Sequence, residues 1–262
     1  MLLADGRGII IQGGVEGMNY ETIQITVTSD RIGIITLFRP AKRNAISIQM
    51  REEISRCLMD WVNMDEVAGV IFTGSEGTFS AGFDLNEFSY FEKHEQILRS
   101  SSIYHRNVWH FPKPTLAAIN GTALGGGFDL AVFCDLRICD NTAIFGHPEI
   151  KFGAPPIFSP LKRIVGDGVA RELCLTGRRI DATEAFQCGL VSELTTTNTL
   201  LHRSTEIMST ILEAPVATLQ FVKNYLINSG QVFDEWFAIE HDQAFREVLL
   251  KRAREGLFKK SR

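Results

Sequence analysis

The patterned part of the chain opens with two runs in which apolar and polar residues alternate, residues 23–27 and 32–38. Alternation with a period of two is typical of half-buried strands, and the polar break at residues 29–31 predicts a hairpin between them. After Ser47, a good N-cap residue, apolar residues recur at helical spacing up to Asn63. We therefore predict a helix over this stretch.

Continuous apolar runs at residues 67–73 and 114–119 predict buried strands, and a shorter strand-like run lies at residues 190–194. Helical spacing predicts further helices over residues 102–111, 161–165, 169–175, 182–187, 200–214, 217–229 and 233–254. Helices therefore gather toward the C-terminal end.

Three consecutive glycines, Gly125 to Gly127, lie where the strand-like run before residue 120 gives way to a helix-like run. Glycines let a ligand approach the backbone, and the first N–H groups of a helix have no intrahelical partner, so such a turn can bind an oxyanion. Asp129 follows in the first helical turn, within reach of such a site. The alternative is that the glycines only permit tight packing and that Asp129 only complements the helix dipole.

A second glycine turn follows the strand at residues 67–73 and leads into residues 79–85, where another helix could begin. Two strand-to-turn units of this kind can each offer one backbone N–H to the same oxygen. Acyl chemistry needs such a pair of donors when a carbonyl becomes an enolate or a tetrahedral oxyanion.

Five motifs in order carry a family resemblance, at residues 38–45, 79–85, 113–139, 145–153 and 175–191. Together they resemble the crotonase family, the enoyl-CoA hydratases and isomerases. The resemblance implies an α/β fold, a spiral of ββα units followed by a helical trimerisation region. It divides the chain into an N-terminal extension (residues 1–17), a crotonase core (residues 18–195) and a C-terminal helical oligomerisation region (residues 196–262).

The resemblance also implies site residues. Asp129 and Glu149 match the two acidic positions of the family, and the backbone N–H groups of Phe83 and Gly126 match its oxyanion hole. Aspartate at the first position is more like the dienoyl-CoA isomerase branch, yet that branch has a further aspartate where this chain has Ile157. The matching motifs predict substrate or coenzyme A contacts at Lys42, Arg43, Ala45, Ser80, Ala81, Gly82, Asp84, Leu85, Gly125 and Ile157.

Aromatic residues and histidines between the two motifs are further candidates for the acyl pocket. The aromatic residues Phe88, Tyr90 and Phe91 hint at a bulky or ring-bearing acyl group, although such residues more often form core contacts. His105 and His110 could act as bases, but a histidine on a partly apolar helix is more often structural. Glu149 lies on stiff backbone, next to prolines and before a glycine turn, as suits a catalytic carboxylate.

Composition narrows the class of protein. The chain has 27 Lys and Arg residues and 31 Asp and Glu residues, so its formal charge is 27 − 31 = −4. It lacks the excess of positive charge that would favour binding to nucleic acid. Five scattered cysteines without a CxxC pair read as reduced residues of a cytoplasmic protein. No apolar stretch is long enough to span a membrane, and none resembles a signal peptide.

The sequence therefore predicts an enzyme acting on an acyl-CoA substrate, with no metal and no cofactor other than the coenzyme A of that substrate. The partners implied are further copies of the chain, as a homotrimer or a dimer of trimers. Hydration of a 2-enoyl-CoA is the favoured reaction, with enoyl- or dienoyl-CoA isomerisation and acyl-CoA hydrolysis as alternatives. A non-catalytic coenzyme A-binding or structural relative is the alternative of another class. A dinucleotide-binding protein is disfavoured, because no full GxGxxG opens a βαβ unit.

Overall fold

A six-stranded sheet and a three-stranded sheet form the strand framework of the described part of the protein, residues 20–228 and 233–255 of a computed structural model. The predicted N-terminal extension lies outside these residues. The strands are β1 (Ile23–Val27), β2 (Ile32–Leu37), β3 (Gly69–Gly74), β4 (Thr115–Ile119), β5 (Thr122–Leu124), β6 (Leu136–Asp140), β7 (Ile144–Gly146), β8 (Arg179–Asp181) and β9 (Leu194–Thr195). The larger sheet has the order β1-β2-β3-β4-β6-β9, and the smaller has the order β5-β7-β8.

Pairing is antiparallel in the hairpin β1–β2, where Ile25 lies opposite Ile35, and between β7 and β8. The remaining neighbours in both sheets are parallel. The parallel strands β3 and β4 are buried along their whole length, as their continuous apolar sequences predict.

The α-helices of the described residues surround these sheets. They are α1 (Ile48–Val62), α2 (His94–Trp109), α3 (Gly126–Phe133), α4 (Ser159–Thr176), α5 (Ala182–Gln187), α6 (Leu200–Leu212), α7 (Val216–Asn228), α8 (Phe233–Phe237) and α9 (Leu250–Arg254). Short 3₁₀ helices occupy Pro40–Lys42, Glu87–Ser89, Phe91–Lys93 and Pro148–Phe152. No helix of the described chain is both long enough and apolar enough to cross a membrane.

Several local predictions are confirmed. The hairpin β1–β2 forms where the alternation indicates it, and the Ser47 hydroxyl caps α1 by accepting a hydrogen bond from the Met50 N–H. The two helices predicted over residues 161–175 form one element, α4, with a break at Gly166, whose φ of 81° is outside the helical region.

Two predictions are wrong in part. No α-helix begins near Leu85, because the Asp84 carboxylate accepts from the Asn86 N–H and closes a turn, so that α2 starts only at His94. The strand predicted over residues 190–194 is present only at its last residue, in β9. The N–H groups of Leu190 and Val191 instead donate to the Ala185 carbonyl and fold the chain back after α5.

The two faces of the larger sheet are covered by different helices. On one face, α6 places Leu200 and Met208 against Ile71 and Leu116 of the strands. The main core contains α1, α2 and α3 together with the smaller sheet and α8. Burial of these apolar residues is the principal stabilising contribution to the fold.

The C-terminal helical segment is not uniformly α-helical. Between α8 and α9 the chain forms two π-helical stretches, Ala238–Gln243 and Phe245–Leu249. Such wide turns are rare and are often found at functional sites. They lie beside the pocket described next.

Candidate active site

The two glycine turns predicted from the sequence lie side by side. The Ser80 N–H donates to the Thr122 carbonyl over 2.8 Å, and the Leu124 N–H donates to the Ser80 carbonyl over 3.0 Å. These bonds bring Gly82 against the second turn, where an added Cβ would lie 2.8 Å from the Leu124 carbonyl oxygen. With a φ of +96° as well, Gly82 is required to be glycine for both space and backbone conformation.

Two backbone N–H groups at these turns have no acceptor within the described residues. The residues on both sides of Phe83 are hydrogen-bonded to Ile46: the Gly82 carbonyl accepts from the Ile46 N–H, and the Asp84 N–H donates to the Ile46 carbonyl. The Phe83 N–H lies between these two hydrogen bonds. Gly126 is the first residue of α3, so its N–H has no intrahelical partner. Gly126 lies beside Phe83, because a Cβ added at Gly126 would lie 2.6 Å from the Phe83 ring. These two residues are the ones that the family resemblance predicts for an oxyanion hole.

Three titratable side chains meet beside the glycine turns. His147 Nδ1 lies 2.8 Å from Glu149 Oε1, and His147 Nε2 lies 3.7 Å from Asp129 Oδ1. Donor atoms of the three residues lie within 4.8 Å of one another. At these separations their charges interact strongly.

The elements that carry these groups are short and constrained. Asp129 lies in the first turn of α3, where its N–H donates to the Gly125 carbonyl over 2.9 Å. His147 follows β7, and Glu149 lies in the 3₁₀ helix that starts at Pro148. A Cβ added at Gly125 would lie 3.1 Å from Glu149 Oε2, so the second carboxylate rests against the glycine turn.

Burial and mutual charge alter the proton affinity of this cluster. Burial raises the pKa of Asp129 to about 7; His147 opposes this rise and Glu149 adds to it. Burial alone would lower the pKa of His147, but the charges of Glu149 and Asp129 outweigh it and raise the pKa above its ordinary value. Asp129 therefore exchanges its proton near neutral pH, and His147 holds its proton more tightly than an ordinary histidine.

The pocket beside this cluster is predominantly apolar and encloses about 890 Å³ of empty space, its open mouth included. Phe83, Phe88 and Phe245 form a contiguous aromatic wall, with ring centroids about 6 Å apart. The C-terminal segment contributes Glu240, His241, Ala244, Phe245 and Leu249. Glu240 is held in place by hydrogen bonds from the Phe158 and Ser159 N–H groups at 2.8 Å.

Most residues predicted for the site line this pocket: Ala81, Gly82, Phe83, Leu85, Gly125, Gly126, Asp129, Glu149 and Ile157. The other five do not line it: Lys42, Arg43, Ala45, Ser80 and Asp84.

The five residues outside the pocket lining lie on the turn at residues 42–45 or on the loop beside it. The side chains of Lys42 and Arg43 are exposed, and the Arg43 carbonyl accepts from the Ala81 N–H. The Ser80 hydroxyl donates to the Asn44 carbonyl, while Asp84 forms an ion pair with Arg39 at 2.9 Å. Ser80 and Asp84 therefore bond within the protein and support the pocket loop.

The two histidines that the sequence offers as candidate bases, His105 and His110, differ in position. His105 is buried in the pocket wall, where its ring stacks on Phe83, and burial lowers its pKa well below the ordinary value. His110 is exposed at the end of α2, away from the pocket, with its ring against Phe233. Neither residue touches Asp129 or Glu149 through a hydrogen bond.

Sequence reasoning did not identify His147 or the C-terminal wall. His147 lies two residues before Glu149 at the end of a buried strand, which was a usable signal for a polar residue near the site. The contribution of residues 240–249 depends on how the last helices dock, for which the sequence carries no local signal.

Comparison with known proteins gives one family. A family model described as enoyl-CoA hydratase/isomerase matches residues 28–257. The putative enoyl-CoA hydratase/isomerase YngF of Bacillus subtilis (strain 168) is 36% identical over 247 residues, which cover 90% of this chain and 94% of that protein. The short-chain-enoyl-CoA hydratase of Clostridium acetobutylicum is 35% identical over 213 residues, covering 78% of this chain and 80% of that protein.

Solved structures give the same result. An enoyl-CoA hydratase/isomerase from Xanthobacter autotrophicus Py2 is similar with a TM-score of 0.75 and 30% identity, over 92% of this chain and 87% of that one. An enoyl-CoA hydratase from Bacillus anthracis is similar with a TM-score of 0.76 and 29% identity, over 92% of each chain.

Proposed function

The chain belongs to the enoyl-CoA hydratase/isomerase family and has the crotonase fold that its motifs imply, and within this family we propose that it hydrates a 2-enoyl-CoA thioester. The observation that carries the proposal is the position of Asp129 and Glu149. Both carboxylates line one apolar pocket, on either side of His147 and next to the glycine turns.

Hydration needs one group to orient and deprotonate water and another to deliver a proton to the α-carbon. We assign these roles to Asp129 and Glu149 as a pair. The N–H groups of Phe83 and Gly126, which donate to no acceptor in the described residues, would carry the enolate charge on the thioester oxygen. No step calls for a metal or a further cofactor, and the absence of both stays a prediction.

The acyl group would be apolar and bulky or cyclic. The pocket is lined by the aromatic rings of Phe83, Phe88 and Phe245 and by the side chain of Ile157. Aspartate is one methylene shorter than glutamate, so the Asp129 carboxylate is set back by about 1.5 Å. A wider acyl group, or a second water molecule, would fill that space.

The coenzyme A moiety would lie toward Lys42 and Arg43. Both side chains are exposed in the turn that is hydrogen-bonded to the Ala81 N–H at the pocket edge. Cations at this position would face the nucleotide phosphates.

Double-bond isomerisation is a second candidate, favoured by the burial of Asp129. With a pKa of about 7, Asp129 is partly protonated near neutral pH and in that form cannot act as a base. One-base isomerisation would shuttle a proton on Glu149, with Asp129 assisting.

The two reactions are separated by a pair of variants assayed on every thioester that the unaltered protein converts. Hydration predicts that Asp129→Asn and Glu149→Gln each lose about 10² or more in kcat. Isomerisation predicts so severe a loss only for Glu149→Gln. The exposed Glu213, changed to Gln, is the matched control.

Near-normal activity of both site variants would place catalysis elsewhere and overturn the proposal. Release of free coenzyme A thiol by the unaltered protein, with no hydrated product, would instead identify a hydrolase.

We also propose that the protein assembles as a homotrimer or a dimer of trimers. Helix α7 exposes an apolar face that includes Phe221, at 62% exposure, and Tyr225, at 60%. A face of this kind is typical of a subunit contact. Trp236, Phe237 and Phe245 are buried within the chain itself. Sedimentation should give a trimer or hexamer that Phe221→Glu weakens; a monomer at micromolar concentration would refute the assembly.

A further inference from the structure

His147 joins the two carboxylates of the site, although it does not line the pocket. Its side chain is fully buried, at 0% exposure, with one ring nitrogen 2.8 Å from Glu149 and the other 3.7 Å from Asp129. We propose that His147 is a positioning residue, an imidazolium that fixes the Glu149 carboxylate and offsets the charge of both acids. This inference rests on the proposed function, in which those acids share the chemistry.

The hydrogen-bond partners indicate the charged form. When both acids are ionised, a neutral imidazole could donate from Nδ1 to Glu149, but its Nε2 would then be a buried acceptor without a donor. An imidazolium instead presents an N–H to each carboxylate. A small closure of the 3.7 Å gap to Asp129 Oδ1 would complete the second bond.

The same contact occupies one oxygen of Glu149, and the other oxygen is buried. Oε1 is occupied by the His147 bond, whereas Oε2 lies against the Gly125 turn and accepts no hydrogen bond from the described residues. The bond to His147 thus fixes the carboxylate plane of Glu149 against the glycine turn.

Other titratable groups surround the cluster on every side. The charge of Glu240, in the C-terminal segment, helps to raise the pKa of Asp129, and the charge of Asp129 helps to raise the pKa of Tyr104 in α2. Burial, with a smaller effect of the two carboxylate charges, raises the pKa of Cys174 in α4 to about 12. This thiol is therefore neutral near pH 7. Among these groups His147 is the cation nearest to the two acids.

Two substitutions separate the bond from the charge. In His147→Asn the amide nitrogen replaces Nδ1 and keeps a donor for Glu149, but the positive charge is lost. In His147→Gln the amide reaches toward Asp129 and the bond to Glu149 is lost. The exposed His202, changed to Asn, is the control.

The assay is the pH profile of kcat and kcat/KM, measured in the presence of EDTA. A cation within about 4–6 Å lowers a carboxylate pKa by about 1–3, so His147→Asn should move the acidic limb of the profile upward by about that amount. His147→Gln should lower kcat about tenfold or more, with KM nearly unchanged. A profile for His147→Asn that coincides with the unaltered one would overturn the inference.

A second measurement does not depend on turnover. Imidazole NMR titration should show His147 losing its proton at lower pH in Glu149→Gln than in the unaltered protein, because the neighbouring negative charge is gone. Identical titration in the two proteins would refute the role of His147. If no thioester is converted, the proposed function fails while this titration still decides the charge coupling.

Discussion

Replacing Asp129 by asparagine should stabilise the protein while it removes activity. Residue Asp129 is only 7% exposed, and its burial raises the pKa of the carboxyl from 3.8 to about 7. Ionised Asp129 therefore disfavours the folded state, whereas asparagine is neutral at every pH. Residues selected for chemistry commonly carry such a stability penalty.

The magnitude follows from the pKa. A change of one in pKa corresponds to about 1.4 kcal/mol, so the rise to about 7 makes the penalty on the order of 4 kcal/mol once Asp129 is fully ionised. Because the folded-state pKa is the higher one, the stability contributed by the protonated carboxyl is complete below about pH 3.8 and is lost as the pH rises through about 7.

Equilibrium urea unfolding at about pH 5 and about pH 8 tests this reasoning. The free energy of unfolding of Asp129→Asn should exceed that of the unaltered protein at both values, and the gap should widen by about 2–3 kcal/mol at the higher pH. The exposed Asp30, changed to Asn, should show no such trend. A gap that stays constant or narrows with rising pH would contradict the burial argument.

Three further outcomes are expected. Gly126→Pro removes one proposed oxyanion donor and should lower kcat on the order of 10²–10³ in a protein with an unchanged circular dichroism spectrum; unchanged turnover would remove Gly126 from the site. Glu240→Gln weakens the bonds that its carboxylate accepts at the start of α4, including one from the Ser159 hydroxyl, and should lower the unfolding free energy by about 1–2 kcal/mol. Lys223→Met removes the cation that lies 2.6 Å from Asp135. In urea unfolding this substitution should lower the free energy of unfolding by about 3–5 kcal/mol, whereas Lys223→Arg, which keeps a cation, should lower it by less.

The sequence predicts those elements whose signals are local. The hairpin β1–β2 follows from alternation, the start of α1 from the hydroxyl of Ser47, and the strands β3 and β4 from continuous apolar runs. The pairing of the glycine turns around Gly82 and Gly126 follows from the family motifs, and the structure places the two turns in hydrogen-bonded contact.

Tertiary placement accounts for what the sequence does not predict. His147 gains its importance from the distance of its ring to Asp129, a residue on another element. Phe245 reaches the pocket because the last helices fold over it through π-helical turns, which have no recognised local pattern. The loss of a helix near Leu85 reflects competition from the Asp84 carboxylate for a backbone N–H. The cytoplasmic location and the three-part division of the chain stay predictions.

Mass spectrometry of the products separates the addition of water to a 2-enoyl-CoA from the other reactions considered above. The purified protein is incubated with a panel of linear, branched and cyclic 2-enoyl-CoA thioesters, with Glu149→Gln as the inactive control. At least one bulky or cyclic thioester should gain the mass of one water molecule, and the control should leave it unchanged. Conversion of thioesters without any change in mass would show isomerisation instead, and no conversion across the panel would contradict the proposed function.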